Sequence, residues 1–307
     1  MAREPGRGWG AVTGLAVVTA TLSVVSPTLL IAIPFALLAV ALPPRRPAVV
    51  AAGALILFAA LRGSGGEPLW FVARGWALLL GGWFLLMSAV WPDMRFLHRA
   101  LTALGGAVAS SATFLAFSGD GWQHIDWVVG QHLRGAAAEM ITIGSRASAE
   151  GWGGELSRSI YRAVELQSML HPALLGIASL AALAVAWWAF RRLAARDARP
   201  LAPLHEFRFN DGLVWVLIAG IVLIVLPLGE PAVRAGSNVL LFMGALYMLR
   251  GVAVVVAIMG SPGLGSAMLG LIAVFFLPMV MVASVLVGLT DTWLDLRARR
   301  SPARPGS

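Results

Sequence analysis

The chain has 307 residues, 59% of them hydrophobic and 12% charged, against roughly 45–50% apolar and about 25% charged in soluble domains. That balance excludes a water-soluble globule. The formal net charge of +8 comes from arginines scattered through short loops beside apolar segments, which the positive-inside bias of membrane proteins explains. Nucleic-acid binding would need a contiguous basic face.

The absence of cysteine rules out disulfides, thiolate catalysis and Cys-based metal sites. Apolar residues arrive in blocks separated by Arg-, Pro- and Gly-rich breaks. The blocks are long enough for helices crossing a bilayer core of about 30 Å, and the alternation of a β-barrel is missing. The expected fold is all-α: a polytopic transmembrane helical bundle of about nine spans, with eight to ten admitted, and an extramembrane amphipathic helix pair.

In chain order, Gly10 to Leu42 is too long for one span, and Ser26-Pro27 near its middle divides it into helices 10–25 and 28–42, because proline breaks or kinks a helix. Without a small-residue cleavage site, the first helix reads as retained rather than as a removed signal peptide. Pro43-Pro44-Arg45-Arg46-Pro47 forms a basic turn before helix 48–61. Gly63-Ser64-Gly65-Gly66 is a flexible loop, and helices near 70–91 and 97–117 follow.

Residues 119–167 differ in kind, with six acidic residues against four arginines. Val129, Leu133, Ala137 and Met140 recur at helical spacing, as do Leu156, Ile160 and Val164, while Gly151-Trp152-Gly153-Gly154 separates the two runs. These features predict the extramembrane pair of amphipathic helices. Helices near 171–190, 212–228, 236–259 and 264–289 complete the count. The implied divisions are N-terminal membrane helices over 1–118, the insertion over 119–167, C-terminal membrane helices over 168–300 and a tail over 301–307.

Arginine distribution sets the orientation. The loop 191–211 holds five arginines and the turns at 43–47 and 92–99 are also basic, whereas 119–167 is net acidic. The N-terminus and the basic loops are therefore expected to be cytoplasmic, and 119–167 outside. Three helices after the 191–211 loop would place Arg297, Arg299, Arg300 and Arg304 outside, against the same rule. A re-entrant segment near Gly260-Ser261-Pro262-Gly263 or a break at Arg250-Gly251 would restore parity.

From about Leu170 to Arg300, four stretches carry a resemblance: His171-Pro172-Ala173-Leu174-Leu175; Pro203 through Phe209; Asn238-Val239-Leu240-Leu241-Phe242 with Leu246-Tyr247 and Gly251-Val252-Ala253-Val254; and Gly288 through Arg297. In this order they resemble the YybS-like family of bacterial predicted membrane proteins, defined by a domain of unknown function. The N-terminal part is similar in style to substrate-binding subunits of energy-coupling-factor transporters. That likeness implies a small-xxx-small first helix, here Gly10 to Gly14 and Ala16 to Ala20, docking on a transmembrane coupling subunit.

Candidate residues for chemistry are few. There is no Walker A loop, no His-Glu-x-x-His, no Gly-x-Ser-x-Gly and no EF-hand pattern. No catalytic residue, resident metal or cofactor is expected, and the protein is not expected to be an enzyme. Arg250 lies in the apolar run 238–259, where an arginine costs roughly 2.5–3.5 kcal/mol to insert and needs a partner. Asn238 and Tyr247 on the same segment add hydrogen-bonding groups, and Asp291 is the first carboxylate to consider as partner. The competing account ends the helix at Leu249 and leaves Arg250 snorkelling at the surface. Asp291 and Asp295, spaced i, i+4, would project from one face of the last helix, as a cation or proton pathway or as an ordinary helix end with Trp293 as interfacial anchor. Glu206, Phe207, Arg208, Phe209 and Asp211 form a loop cluster able to dock a partner or to act as an interfacial turn. Ala16 and Ala20 are the second candidate docking feature.

These residues point to a multi-pass protein of the bacterial cytoplasmic membrane, with the lipid bilayer as its surroundings. The leading expectation is a small-molecule transport or binding component without an ATPase, served by a membrane coupling or envelope protein. The alternative is a non-catalytic scaffold of the envelope.

Overall fold

The computed structural model describes residues 29–43, 47–61, 68–119, 121–147, 154–194, 201–259 and 276–297. Ten α-helices and no strand occur among them: α1 Leu29–Ala41, α2 Pro47–Leu61, α3 Pro68–Val90, α4 Phe96–Phe117, α5 Gly121–Ala147, α6 Gly154–Met169, α7 His171–Leu193, α8 Val214–Val225, α9 Glu230–Met259 and α10 Leu277–Leu294. Two 3-10 turns, Leu204–Glu206 and Asp211–Leu213, lie between α7 and α8. The first expected helix, 10–25, with Ala16 and Ala20, falls outside the described residues. So do Arg45, Arg46, Arg199 and the segment around Gly260–Gly263.

The expected count of about nine spans is not supported. Among the described residues, five helices are long and apolar enough to cross a bilayer, namely α3, α4, α7, α9 and α10. Residues 29–41, 49–58 and 211–225 form shorter apolar helices. Apolar composition overestimated helical length. In the segment 212–228 the helix stops at Val225, because Leu226 precedes Pro227 and takes the extended backbone such a position favours (φ −73°, ψ 138°). Gly229 then turns the chain at φ +91° into α9. Twelve residues rise only about 18 Å, well short of an apolar core about 30 Å thick. The two helices expected within 119–167 form as α5 and α6, and neither is among those long and apolar enough to span.

The chain divides into two compact units. The first comprises Met1–His171 and Leu175–Leu201; the second, Pro172–Leu174 and Ala202–Ser307. In the first, α1 packs on α2 and α3, α3 on α4, and α5 on α6. The α3–α4 turn is tied by Arg99, which is 2% exposed. Its Nη2 donates to the carbonyls of Pro92 at 2.8 Å and Met94 at 3.0 Å, and its guanidinium carbon lies 4.8 Å from the Trp187 ring centroid of α7. The cation thus sits against carbonyls just past a helix C-terminus, where positive charge is favoured. A Trp76 Nε1 to Ser179 Oγ hydrogen bond of 3.0 Å also joins α3 to α7.

In the second unit α9 is the central helix, packed against α8 along one stretch and α10 along another. At 30 residues it is about 45 Å long. The buried residues of α10 are Ser284, Gly288 and Asp291, one stripe at spacings of four and three, while Met279, Val282, Leu286 and Trp293 are exposed. Small and polar groups face inward and apolar groups outward, the arrangement expected where the surroundings are lipid and association depends on close packing. The closest approach is at Gly251 and Gly288. A Cβ on Gly251 would overlap the Ser284 carbonyl oxygen, and one on Gly288 would overlap the Tyr247 carbonyl oxygen. The backbones touch, and no side chain fits between them.

Gly251→Ala and Gly288→Ala should therefore each lower stability by about 1–3 kcal/mol or more, the cost of overpacking a rigid contact. Gly244→Ala in the same helix meets open space and should be neutral. Thermal unfolding of the purified protein in detergent is the check, and equal melting temperatures for all three variants would contradict the contact.

Candidate functional site

The glycine contact sets the geometry of everything polar in the second unit. Tyr247, Arg250 and Gly251 lie at i, i+3, i+4 on α9; Gly288, Asp291 and Thr292 have the same spacing on α10. Each set therefore shares one helical face. With Gly251 and Gly288 in backbone contact, Arg250 and Asp291 meet side by side.

The Arg250 side chain is 3% exposed and that of Asp291 0%. Arg250 Nε donates to Asp291 Oδ2 at 3.0 Å, Nη2 to the Asp291 carbonyl at 3.3 Å and Nη1 to Asp211 Oδ1 at 2.6 Å. The Phe209 ring centroid lies 5.4 Å from the guanidinium carbon, close enough for a cation–π contribution, and Phe209 meets the Tyr247 ring edge-on at 5.1 Å. The helix runs on to Met259, so the account in which it ends at Leu249 and frees Arg250 to snorkel does not hold. Arg250 faces the interior of the unit, with Asp291 as its buried partner.

Sequence reasoning did not include Arg297 among the site residues. It closes the cluster from beyond α10: its Nη2 donates to Asp291 Oδ2 at 2.9 Å and to the Phe207 carbonyl at 3.1 Å. Its Nη1 donates to the carbonyls of His205 at 2.9 Å and Phe207 at 3.2 Å. The signal pointing to it is local, an arginine six residues after a carboxylate at a helix end. It returns because Asp295, the residue capping α10, takes a left-handed backbone (φ 40°, ψ 61°), a conformation that aspartate tolerates better than most residues.

The same turn corrects the expectation that Asp291 and Asp295 share a helix face. The helix ends at Leu294, and the half-exposed Asp295 carboxylate pairs instead with Arg208. Tyr247, Arg208, Phe209 and Asp211 come together with Arg250. Asn238 does not. Its side chain accepts from the Ala173 amide at 2.9 Å and donates to the Arg234 carbonyl at 2.9 Å, three turns before Arg250. Glu206 is exposed, its carboxylate 3.8 Å from His205. No group of three or more His, Cys, Asp or Glu that could hold a metal occurs among the described residues.

Arg208, Arg250 and Arg297 face Asp211, Asp291 and Asp295, so the cluster carries no net charge. Each guanidinium is committed to carboxylates or carbonyls. Among the described residues, Asp291 Oδ1 and Arg297 Nε are buried with no hydrogen-bond partner, and the Tyr247 hydroxyl faces Thr292 without a well-formed bond.

Compared with known families, residues 10–292 match the family model described as predicted membrane protein (DUF2232). The chain belongs to the DUF2232 family. No curated protein and no solved structure matches it significantly. The DUF2232 description and the five apolar helices agree that this is a membrane protein, and the buried ionic cluster lies within the matched residues except for Asp295 and Arg297.

Arg250→Leu should cost up to about 3–5 kcal/mol of stability, since it removes one partner of a buried pair and leaves Asp291 with Arg297 alone. Arg250→Lys should recover part of this, because a lysine can reach one carboxylate but not reproduce the guanidinium fork. Melting temperatures in detergent read both, and an unchanged value for Arg250→Leu would contradict the buried assignment.

Proposed function

We propose that this DUF2232 protein is a multi-pass component of the bacterial cytoplasmic membrane that binds or transports a small molecule. It has no ATPase or other catalytic centre of its own and works with a separate membrane coupling or envelope protein. The observation that carries the reading is the Arg250–Asp291 pair, buried between two helices that are each long and apolar enough to span. Ionisable residues at such positions are costly and are characteristic of substrate and ion pathways. The buried Asp291 Oδ1, without a partner among the described residues, adds an acceptor for a bound group. The likeness of the N-terminal part to energy-coupling-factor substrate-binding subunits is in keeping with the same class.

A second reading, a non-catalytic scaffold of the cell envelope, is favoured by the neutrality of the cluster, since three arginines matched by three aspartates can serve purely to lock helices together. Native mass spectrometry of the full chain in mild detergent separates the two. The transport reading expects a discrete non-lipid mass on the wild type that is lost in Asp291→Asn while the variant remains folded. Retention of lipid and protein partners alone, with Asp291→Asn indistinguishable, would leave the scaffold reading in its place.

A further inference from the structure

We infer that residues 202–211 form a lid over the site lined by Tyr247, Arg250 and Asp291, and that the group admitted beneath it is a neutral hydrogen-bond donor of a small molecule. The inference rests on the small-molecule reading above and specifies how that site is closed and what it accepts.

The segment rests on α9 at its Leu204–Glu206 turn but buries little of itself. Between Leu201 and Asp211 only Phe209 is buried, and the single regular turn is Leu204–Glu206. Its attachments are polar: Arg208 to Asp295, both side chains about half-exposed; Asp211, 62% exposed, to the buried Arg250; and the His205 and Phe207 carbonyls to Arg297. The exposed Arg208–Asp295 pair contributes little. A segment with few buried apolar contacts opens at low cost compared with the helices beneath it.

The helices below stay closed when the segment lifts. Arg250 and Asp291 are held by the Gly251–Gly288 backbone contact and by their own hydrogen bond, neither of which involves residues 202–211. Lifting Phe209 uncovers Tyr247 and the guanidinium face of Arg250. Releasing Arg297 from the two carbonyls loosens the cover on Asp291.

Among the described residues the closed state leaves three buried polar atoms of the cluster without a hydrogen-bond partner, Asp291 Oδ1, the Tyr247 hydroxyl and Arg297 Nε, with Asp291 and Tyr247 at most 1% exposed. A buried acceptor left without a hydrogen bond is destabilising, which a donor from a ligand would relieve. The ligand class follows from charge. An anion would find the Nη groups of Arg250 and Arg297 committed, only Arg297 Nε lacking an acceptor among the described residues, and would sit beside the Asp291 carboxylate; a cation would face Arg250 and Arg297 on either side of Asp291. A hydroxyl or amide donor meets neither objection.

The test uses the full chain in lipid nanodiscs and the absence of native cysteine. In Phe209→Cys, labelling by N-ethylmaleimide should be slow but complete, and adding Arg297→Ala should speed it about tenfold, the factor corresponding to about 1.4 kcal/mol of lost fastening, with Arg297→Lys intermediate. Because the Phe209 variant itself loosens the lid, the second arm keeps Phe209: a disulfide between Arg208→Cys and Asp295→Cys should slow amide exchange over 204–211 about tenfold relative to its reduced form, with exchange in α9 unchanged. A cysteine at 209 that never labels in either background, or exchange indifferent to the disulfide, would overturn the lid. Lid motion without any small-molecule mass would instead remove the functional reading alone, and recovery of an anionic molecule would overturn the ligand class.

Discussion

The backbone contact between Gly251 and Gly288 is the constraint on which the second unit depends. In a lipid environment, helices gain little from the hydrophobic effect by associating, so close approach and interhelical hydrogen bonds must supply the attraction. Two glycines let α9 and α10 touch. The same contact fixes the depth and rotation at which Arg250 and Asp291 face each other. Without it, a guanidinium and a carboxylate placed among leucines and valines would each be expensive to bury.

Around that pair the polar groups are arranged from inside to outside. Arg250 and Asp291 are enclosed; Arg297 and Asp211 bridge from the interior to the edge; Arg208 and Asp295 lie half in solvent. The cluster as a whole is neutral, which makes it tolerable next to an apolar phase. Its inner part is bound to the helices and its outer part to a segment with one buried residue, so the two parts have different mechanical roles. Arg99 in the first unit follows a different solution, with carbonyls and the Trp187 ring standing where a carboxylate would be.

Much of this was legible in the sequence for physical reasons. Bilayer thickness requires apolar blocks of a certain length, so the helical class was readable, as was the change in kind over 119–167. Arg250 stood out because a charge inside an apolar run needs a partner, and Asp291 was the carboxylate considered first. The number of spans was not readable, because hydropathy measures composition rather than helix length and Pro227 ends α8 after a stretch too short to cross. Arg297 was missed because its place depends on the left-handed turn at Asp295, and a non-glycine residue at positive φ has no reliable sequence signature. For the same reason Asp295 could not be separated from Asp291, since the i, i+4 rule holds only while the helix continues. Asn238 was grouped with Arg250 because both occupy one apolar segment, yet three turns of helix separate them.

The central claim is that Arg250 and Asp291 form one energetically coupled buried pair between α9 and α10. A double-mutant cycle measures it directly, comparing Arg250→Leu, Asp291→Leu and the double variant by thermal unfolding in detergent. The claim predicts that the double variant is more stable than the sum of the single losses implies, by about 0.5–3 kcal/mol, since once one partner is gone the second substitution no longer breaks the Arg250–Asp291 bond. Strict additivity of the two substitutions would contradict it.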